Sequence, residues 1–521
     1  MSRKLRYAVA ALLVLGLFGF RYWRDHRVAT THAANANTPE NTPAKARHDA
    51  PPAKPRMYGA IAFHPCTLAP QYGALSVEAQ CGTLPVPENR AEPDGRKLSL
   101  AIAWVPAGDN GDVAPDPVFM LAGGPGQSAR DSYPQVAQAF ADVLKHRNVV
   151  LVDQRGTGGS NLLSCERGDE NENEEESPAA ASAFARRCIE TLSKKADLRF
   201  YTTTDAVADL EDVRKALGVA QINLVGISYG TRVAQQYAMR HPGATRSIVL
   251  DSVAPNTLGL GNIFARNLDE ALALQFAQCT ESPACKDRVG DAREELSTLM
   301  ATLRANPPTV RYRDGGTGEW REDVLTPDRI AGMVRMYAYM PLAATVLPVL
   351  IHDANQGHYE NLAALSRMMS AEMKDAMATG MQMSVLCAED ADSMVARPDD
   401  AGTLLGTDLT EAMAAMCKVW PKGAMPADFH KPLATNVPAL VLEGEFDPVT
   451  PPRYGEEVAK PLKNGRLLVL RGQGHNVIGV GCMPKLFAQF LQDANAKTLD
   501  AKCLDTLAYA QPFTSFNGWQ P

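Results

Sequence analysis

Short apolar runs bounded by turn residues recur in two separated parts of the chain. Leu98 to Val105, Pro117 to Leu121, Asn148 to Val152, the run opening at Ile222, Ser247 to Leu250, Ala439 to Leu442 and Arg466 to Leu470 all have strand length. Asp205 to Leu217, Thr231 to His241 and Leu486 to Ala494 repeat their apolar positions at helical spacing. Buried strands alternating with helices predict an α/β fold, a mainly parallel sheet covered on both faces. Sites in such sheets are built from the loops at the carboxyl ends of the strands, and every unusual loop of this chain falls there.

Between about Pro255 and Pro432 the rhythm stops. Asn267 to Cys279, Asp291 to Ala305, Pro327 to Tyr339, Leu342 to Gln356 and Tyr359 to Met373 read as helices. Thr326-Pro327 is a start signal, a capping residue followed by proline at the first helical position. The pattern predicts residues 57–254 and 433–521 as the core and 255–432 as a large, mainly helical cap inserted into it. The insertion holds 14 of the 19 methionines. They serve either as ordinary core filling or as an adaptable apolar lining, since thioether side chains repack easily.

The N-terminus changes the picture from a cytoplasmic to an exported protein. Arg3, Lys4 and Arg6 precede an apolar run from Tyr7 to Phe20, and Arg21, Arg24 and Arg27 follow. These 14 residues are short for a membrane span and typical of a signal-peptide core. Ala33-Ala34-Asn35-Ala36 is a distant cleavage candidate, so residues 1–27 are read as a signal peptide or an uncleaved membrane anchor. Residues 28–56, rich in Ala, Pro, Thr and Asn, read as a flexible linker. The acidic run from Glu166 to Glu176 reads as a solvated loop.

Ten cysteines fall into five close couples, Cys66/Cys81, Cys165/Cys188, Cys279/Cys285, Cys387/Cys417 and Cys482/Cys503. Sequence does not fix connectivity. An even count, local clustering and an oxidising compartment favour five nearest-neighbour disulfides, and no Cys-x-x-Cys spacing suggests a metal site. Of the 521 residues 45% are hydrophobic and 21% charged, ordinary for a globular protein. A net charge of -7 without a basic stripe argues against a nucleic-acid partner.

The chemistry gathers at the strand ends. The Ile222 run drives into Gly226-Ile227-Ser228-Tyr229-Gly230 and then into helix, the strand–turn–helix setting that holds a serine hydroxyl exposed on a sharp turn. A serine needs a base, and the base needs an orienting group. Asp447 follows the Ala439 strand within Phe446-Asp447-Pro448, and His475 follows the next strand within Gly472-Gln473-Gly474-His475-Asn476. The order Ser, Asp, His is that of the α/β-hydrolase sheet. Asp447 also suits a plain turn before proline, and Asp251, at another strand end, is the rival acid. An oxyanion needs donors. The Tyr229 N–H is one, and Gly124, in the glycine loop after the Pro117 strand, is the expected second. The remaining histidines of the folded body (His64, His146, His241, His352, His358 and His430) lack a comparable loop.

Together Gly123-Gly124-Pro125-Gly126, Asp153-Gln154-Arg155-Gly156-Thr157-Gly158 and Gly226-Ile227-Ser228-Tyr229-Gly230 resemble the α/β-hydrolase exopeptidases, which include prolyl aminopeptidases and secreted tripeptidyl aminopeptidases. The tail from Gly444 through Asp447, Thr450 and Pro451 to His475 resembles the tripeptidyl aminopeptidase-like branch. The resemblance spans most of residues 60–500 and is weak in the insertion. Ala122 departs from it, standing where many relatives have histidine before the glycines.

The resemblance implies release of residues or short peptides from a free peptide N-terminus, with peptides as partners and no metal or organic cofactor. Such a reaction requires a carboxylate to meet the substrate ammonium. Glu389 and Asp390, just after Cys387 in a Cys-x-x-Asp arrangement similar to one in related enzymes, are the candidates. Two other readings stay open. One is a carboxylesterase or amidase on the same fold, since fold and triad do not choose the acyl group. The other is a non-catalytic binding protein.

Overall fold

The apolar runs become strands, and each ends in the loop that carries its chemistry. The structure, a computed structural model, describes residues 54–69, 75–108, 112–165 and 177–519. The expected export segment, most of the linker and the acidic run lie outside the described residues. The strands are β1 (Arg56–Tyr58), β2 (Ile61–Leu68), β3 (Val77–Pro87), β4 (Lys97–Val105), β5 (Val118–Leu121), β6 (Val149–Val152), β7 (Ile222–Ile227), β8 (Thr245–Asp251), β9 (Thr309–Arg313), β10 (Trp320–Val324), β11 (Ala439–Gly444) and β12 (Gly465–Leu470). Ten of them form one sheet in the order β1-β2-β3-β4-β6-β5-β7-β8-β11-β12. From β6 to β12 all neighbours are parallel. In β5, β6, β7 and β11 every residue is buried, as a strand covered on both faces demands.

The antiparallel start of the sheet departs from the mainly parallel expectation. β1 to β4 pair antiparallel with one another, and β4 pairs antiparallel with β6. Residues 56–87 lack a continuous apolar run because β2 and β3 expose alternate positions and carry Pro65, Pro85 and Pro87. The first strand begins at Arg56, one residue before the expected core boundary.

The helices on the sheet are α1 (Ala129–Val136), α2 (Pro178–Leu192), α3 (Thr203–Leu217) and α4 (Tyr229–Arg240). Thr202 and Asp205 form a reciprocal capping box that sets the start of α3, and Gly218 in the left-handed region stops it. One apolar layer lies on each face of the sheet. Leu210, Val213, Leu224 and Val233 belong to the first, and Val225, Val249, Leu440 and Phe487 to the second.

Between β8 and β11 the chain builds α5 (Phe264–Glu281), α6 (Pro283–Val289), α7 (Ala292–Ala305), the β9–β10 hairpin, α8 (Pro327–Ala338), α9 (Pro341–Ala344), α10 (Leu347–Asn355), α11 (Glu360–Ala376), α12 (Thr379–Glu389) and α13 (Asp408–Cys417). This segment has an apolar core of its own, with Phe276, Leu299, Leu303, Ile330 and Ile351. Residues 54–521 nonetheless form one compact unit. The single helix expected over Leu342 to Gln356 is broken in two, because Pro348 has no N–H to continue a helix and instead sits in the first turn of α10. Met300, Met333, Met381, Met383, Met394, Met413 and Met416 are buried, so these methionines are core filling. Returning to the sheet, α14 (Pro452–Ala459) and α15 (Met483–Asp493) complete the core.

The cysteines pair as the five close couples: Cys66–Cys81, Cys165–Cys188, Cys279–Cys285, Cys387–Cys417 and Cys482–Cys503. Cys387–Cys417 ties α12 to α13. Among the described residues no helix is long and apolar enough to cross a membrane.

Candidate active site

β7 runs into α4 through one residue, Ser228, at φ 55° and ψ −124°. A non-glycine residue in that region is strained and persists only where its surroundings hold it. Two glycines allow the turn. A Cβ on Gly226 would lie 2.4 Å from the Gly230 carbonyl oxygen, and one on Gly230 would lie 2.2 Å from the carbonyl oxygen of Leu121 at the end of β5. From Ile222 to Ala238 every residue is buried except Ser228, which is half-buried. The turn thus lifts one hydroxyl out of an otherwise closed segment.

Asp447 and His475 stand on the loops after β11 and β12. The His475 Nδ1–H donates to Asp447 Oδ2 at 2.8 Å. Asp447 Oδ1 accepts the N–H groups of Val449 and Thr450, each at 2.8 Å, and its Oδ2 also accepts the Thr450 hydroxyl at 2.9 Å. The turn role and the histidine role therefore coexist in one carboxylate, whose four acceptor sites are filled. Burial would raise the Asp447 pKa, but the charge and hydrogen bond of His475 and these N–H donors outweigh it, and Asp447 stays below the ordinary carboxylate range. Burial likewise pulls His475 down, while the charge and hydrogen bond of Asp447, joined by the charge of Asp251, lift it above its ordinary value. A half-buried imidazole fixed through Nδ1 keeps Nε2 as its basic nitrogen, which suits it to take a proton from a hydroxyl.

Asp251, the rival acid, does not hydrogen-bond the imidazole. It is fully buried at the end of β8, and its carboxylate accepts the N–H groups of Val477 and Ile478. Ser252 Oγ accepts the N–H of Asn476 at 2.7 Å. These two residues hold the backbone of the His475 loop. Burial first, then the charge of Asp447, pushes Asp251 up to about 6, with the loop N–H groups and His475 opposing.

The glycine loop lies against the serine. A Cβ on Gly123 would sit 3.0 Å from Ser228 Cβ, so Gly124 is one residue from contact with the turn. Gly124 has φ +107° and Gly126 φ +112°, backbone that glycine supplies without strain. The Ala378 N–H donates to the Gly126 carbonyl at 3.0 Å, docking the start of α12 on this loop. Tyr229 opens α4, where the N–H groups have no intrahelical acceptor.

Glu389 and Asp390, at the other end of α12, are buried with Arg232 rather than exposed. Arg232 donates to Asp390 at 2.8 Å and lies 3.8 Å from Glu389. Glu389 accepts the N–H of Thr203 at 2.7 Å and its hydroxyl at 2.9 Å, and that hydroxyl is 2.6 Å from the Tyr229 phenol. Burial, opposed by Arg232 and reinforced by Asp390, pushes Glu389 up to about 8. Asp390 thus balances the buried guanidinium, and Glu389 is linked to the residue after Ser228 through one hydroxyl.

Sequence reasoning missed Thr450, Ser252, Thr203 and Arg232. Thr450 lies in the tail motif from Gly444 to His475, but Ser252, Thr203 and Arg232 carry no local signal. Among the described residues no group of three or more His, Cys, Asp or Glu side chains is arranged to hold a metal ion.

The chain is similar to known proteins. A family described as alpha/beta hydrolase fold matches residues 116–481. The chain is 24% identical to the serine protease Hip1 of Mycobacterium tuberculosis over 87% of its own length and 92% of the relative's. It is 25% identical to a tripeptidyl aminopeptidase of Streptomyces lividans over 81% and 83% of the two chains. Among solved structures, a proline iminopeptidase of Mycobacterium smegmatis aligns over 79% of this chain and 98% of that one, at 17% identity and a TM-score of 0.40.

Proposed function

The chain belongs to the α/β-hydrolase family, and on that premise we propose that it is an exported serine aminopeptidase. Ser228 attacks the scissile carbonyl while His475 takes its proton, and Asp447 holds the imidazole in the required tautomer. The N–H groups of Tyr229 and Gly124 meet the oxyanion. His475 then protonates the leaving amine, and water, activated by the same imidazole, hydrolyses the acyl-enzyme.

The observation that carries the reading is the 2.8 Å bond between His475 Nδ1 and Asp447, formed by loops from adjacent parallel strands in the sheet whose strand β7 runs into Ser228. The serine protease and tripeptidyl aminopeptidase similarity supports peptides over other acyl compounds. Glu389 is proposed as the carboxyl that selects a free N-terminus. Asp390 already balances Arg232, whereas Glu389 is neutral near pH 7 and ionises when a substrate ammonium stands beside it. Five disulfides support an oxidising compartment and hence export.

The test offers the purified protein chromogenic peptides with free and acetylated N-termini and a short-chain ester. Strong preference for the free N-terminus is expected. Equal cleavage of free and acetylated peptides would sink the aminopeptidase reading, and turnover of the ester alone would assign the carboxylesterase reading instead.

A further inference from the structure

We propose that Tyr339, Met340 and Leu342 form an apolar subsite for the first residue of the leaving chain, so that the enzyme prefers a hydrophobic residue on the far side of the cleaved bond. The proposal rests on the reaction proposed above.

α8 ends at Ala338, and the chain turns a corner through Tyr339-Met340-Pro341-Leu342 before α9. That corner is bound to the His475 loop. The His475 N–H donates to the Tyr339 carbonyl at 3.0 Å, and the Tyr339 ring meets the imidazole edge-on with centroids 5.1 Å apart. Gly474 lies so close beneath that a Cβ there would be 2.3 Å from the Tyr339 carbonyl oxygen and 2.7 Å from Pro341. Gln275 of α5 fixes the corner to the acid loop as well, donating to the Ala338 carbonyl at 2.9 Å and reaching the Phe446 carbonyl at 3.5 Å. Pro341 restricts the residue before it to extended backbone, and Met340 adopts φ −121° and ψ 99°.

On this rigid corner Met340 is 57% and Leu342 72% exposed. Two large apolar side chains, two residues apart and left in water on a fixed backbone, forgo the gain of burial that an apolar occupant would supply. Their location identifies the occupant. His475 gives its proton to the leaving nitrogen, so the chain attached to that nitrogen departs past His475. The segment that touches both the backbone and the ring of His475 is this corner. An extended chain places its first side chain within a few ångströms of that nitrogen, and Met340 and Leu342 are the exposed large apolar residues of the corner that touches His475.

The test compares peptides sharing one free N-terminal portion and differing only in the first leaving residue, leucine, serine or glutamate. In the wild type kcat/KM for leucine is expected to exceed that for serine by about tenfold, the scale of an apolar pocket. In Met340→Ser/Leu342→Ser the ratio is expected to fall to within about twofold. Met340→Lys supplies an independent reading, a shift of preference from leucine toward glutamate. A wild-type ratio near one, or a ratio unchanged in both variants, overturns the subsite. Equal cleavage of acetylated peptides removes the aminopeptidase reading and leaves this ratio intact. Turnover of esters alone moves the comparison to esters of one acyl group with apolar and polar alcohols, where the same outcomes decide. Absence of any turnover overturns both proposals.

Discussion

The carbonyl of Asp251 accepts the N–H of Ser228 at 2.9 Å. Its carboxylate, at the end of the same strand, grips the N–H groups of Val477 and Ile478, each at 2.9 Å. One residue therefore fixes the serine turn through its main chain and the histidine loop through its side chain. The rival acid of the sequence thus ties the turn that carries Ser228 to the loop that carries His475.

Asp251→Asn separates this role from a merely structural one. An amide turns one carboxylate oxygen into an NH2 group that faces the Val477 N–H now accepted by Asp251 Oδ1, so kcat/KM is expected to fall by roughly tenfold to a hundredfold, the scale of a small misplacement at the chemistry. The lost negative charge also lowers the His475 pKa, to which Asp251 contributes. The acid limb of the kcat/KM–pH profile should therefore move to lower pH, a shift that loss of fold alone would not produce.

The wild-type profile has its own signature. His475 must be neutral to act as a base, and its pKa lies above its ordinary value of 6.5 because Asp447 outweighs burial. Activity should rise with pH through a midpoint above that value. Asp447→Asn is expected to cut kcat by about 10⁴ through the wrong tautomer, with the circular dichroism spectrum unchanged.

Glu389→Gln tests the ammonium site and carries a stability signature. In the folded protein Glu389 titrates near 8 instead of the ordinary 4.5 because of burial. Between those values the folded state holds a proton that the unfolded chain releases, so this group lowers stability as pH rises through the window. The variant lacks the effect, and its Tm minus that of the wild type should grow from about pH 4.5 to about pH 8. Its KM for free-amine peptides should rise while ester turnover is spared. A flat Tm difference would mean that Glu389 is ionised in the fold.

How much of this was legible in advance follows from locality. Ser228, Asp447 and His475 each carry a strand end and a marked loop in their own sequence, and their order completes the pattern. The parallel strands were legible because burial on both faces makes them continuous apolar runs. The antiparallel β1–β3 were not, since half their side chains face water or carry prolines. Arg232, Thr203 and Ser252 matter only through partners far along the chain: Arg232 meets Asp390 158 residues later, and Ser252 meets Asn476 224 residues later. No window of sequence contains such a pair.

Gly230→Ala probes the packing beneath the turn. The added methyl meets the Leu121 carbonyl oxygen at 2.2 Å and that of Ala122 at 2.8 Å, both backbone atoms that cannot swing aside. Overpacking at a rigid backbone contact costs about 1–3 kcal/mol. Pushing α4 away from β5 also displaces the glycine loop, so chemical denaturation and kcat should both register the change.

Removing one staple by Cys387→Ala/Cys417→Ala opens a loop with a sequence separation of 30 residues between α12 and α13. A loss of roughly 3 kcal/mol is expected from the freed unfolded chain. Because α12 begins on the glycine loop and ends at Glu389, the KM for free-amine peptides should rise with it. Unchanged stability would show that packing alone holds α13.

Everything proposed for this site depends on Ser228 acting as the nucleophile, activated by His475. Intact-mass analysis after exposure to a phosphonylating serine probe tests it most directly. A single adduct is expected that maps to the peptide bearing Ser228, is absent from Ser228→Ala and forms far more slowly in His475→Ala. An adduct on another residue, or undiminished labelling of Ser228→Ala, would contradict it.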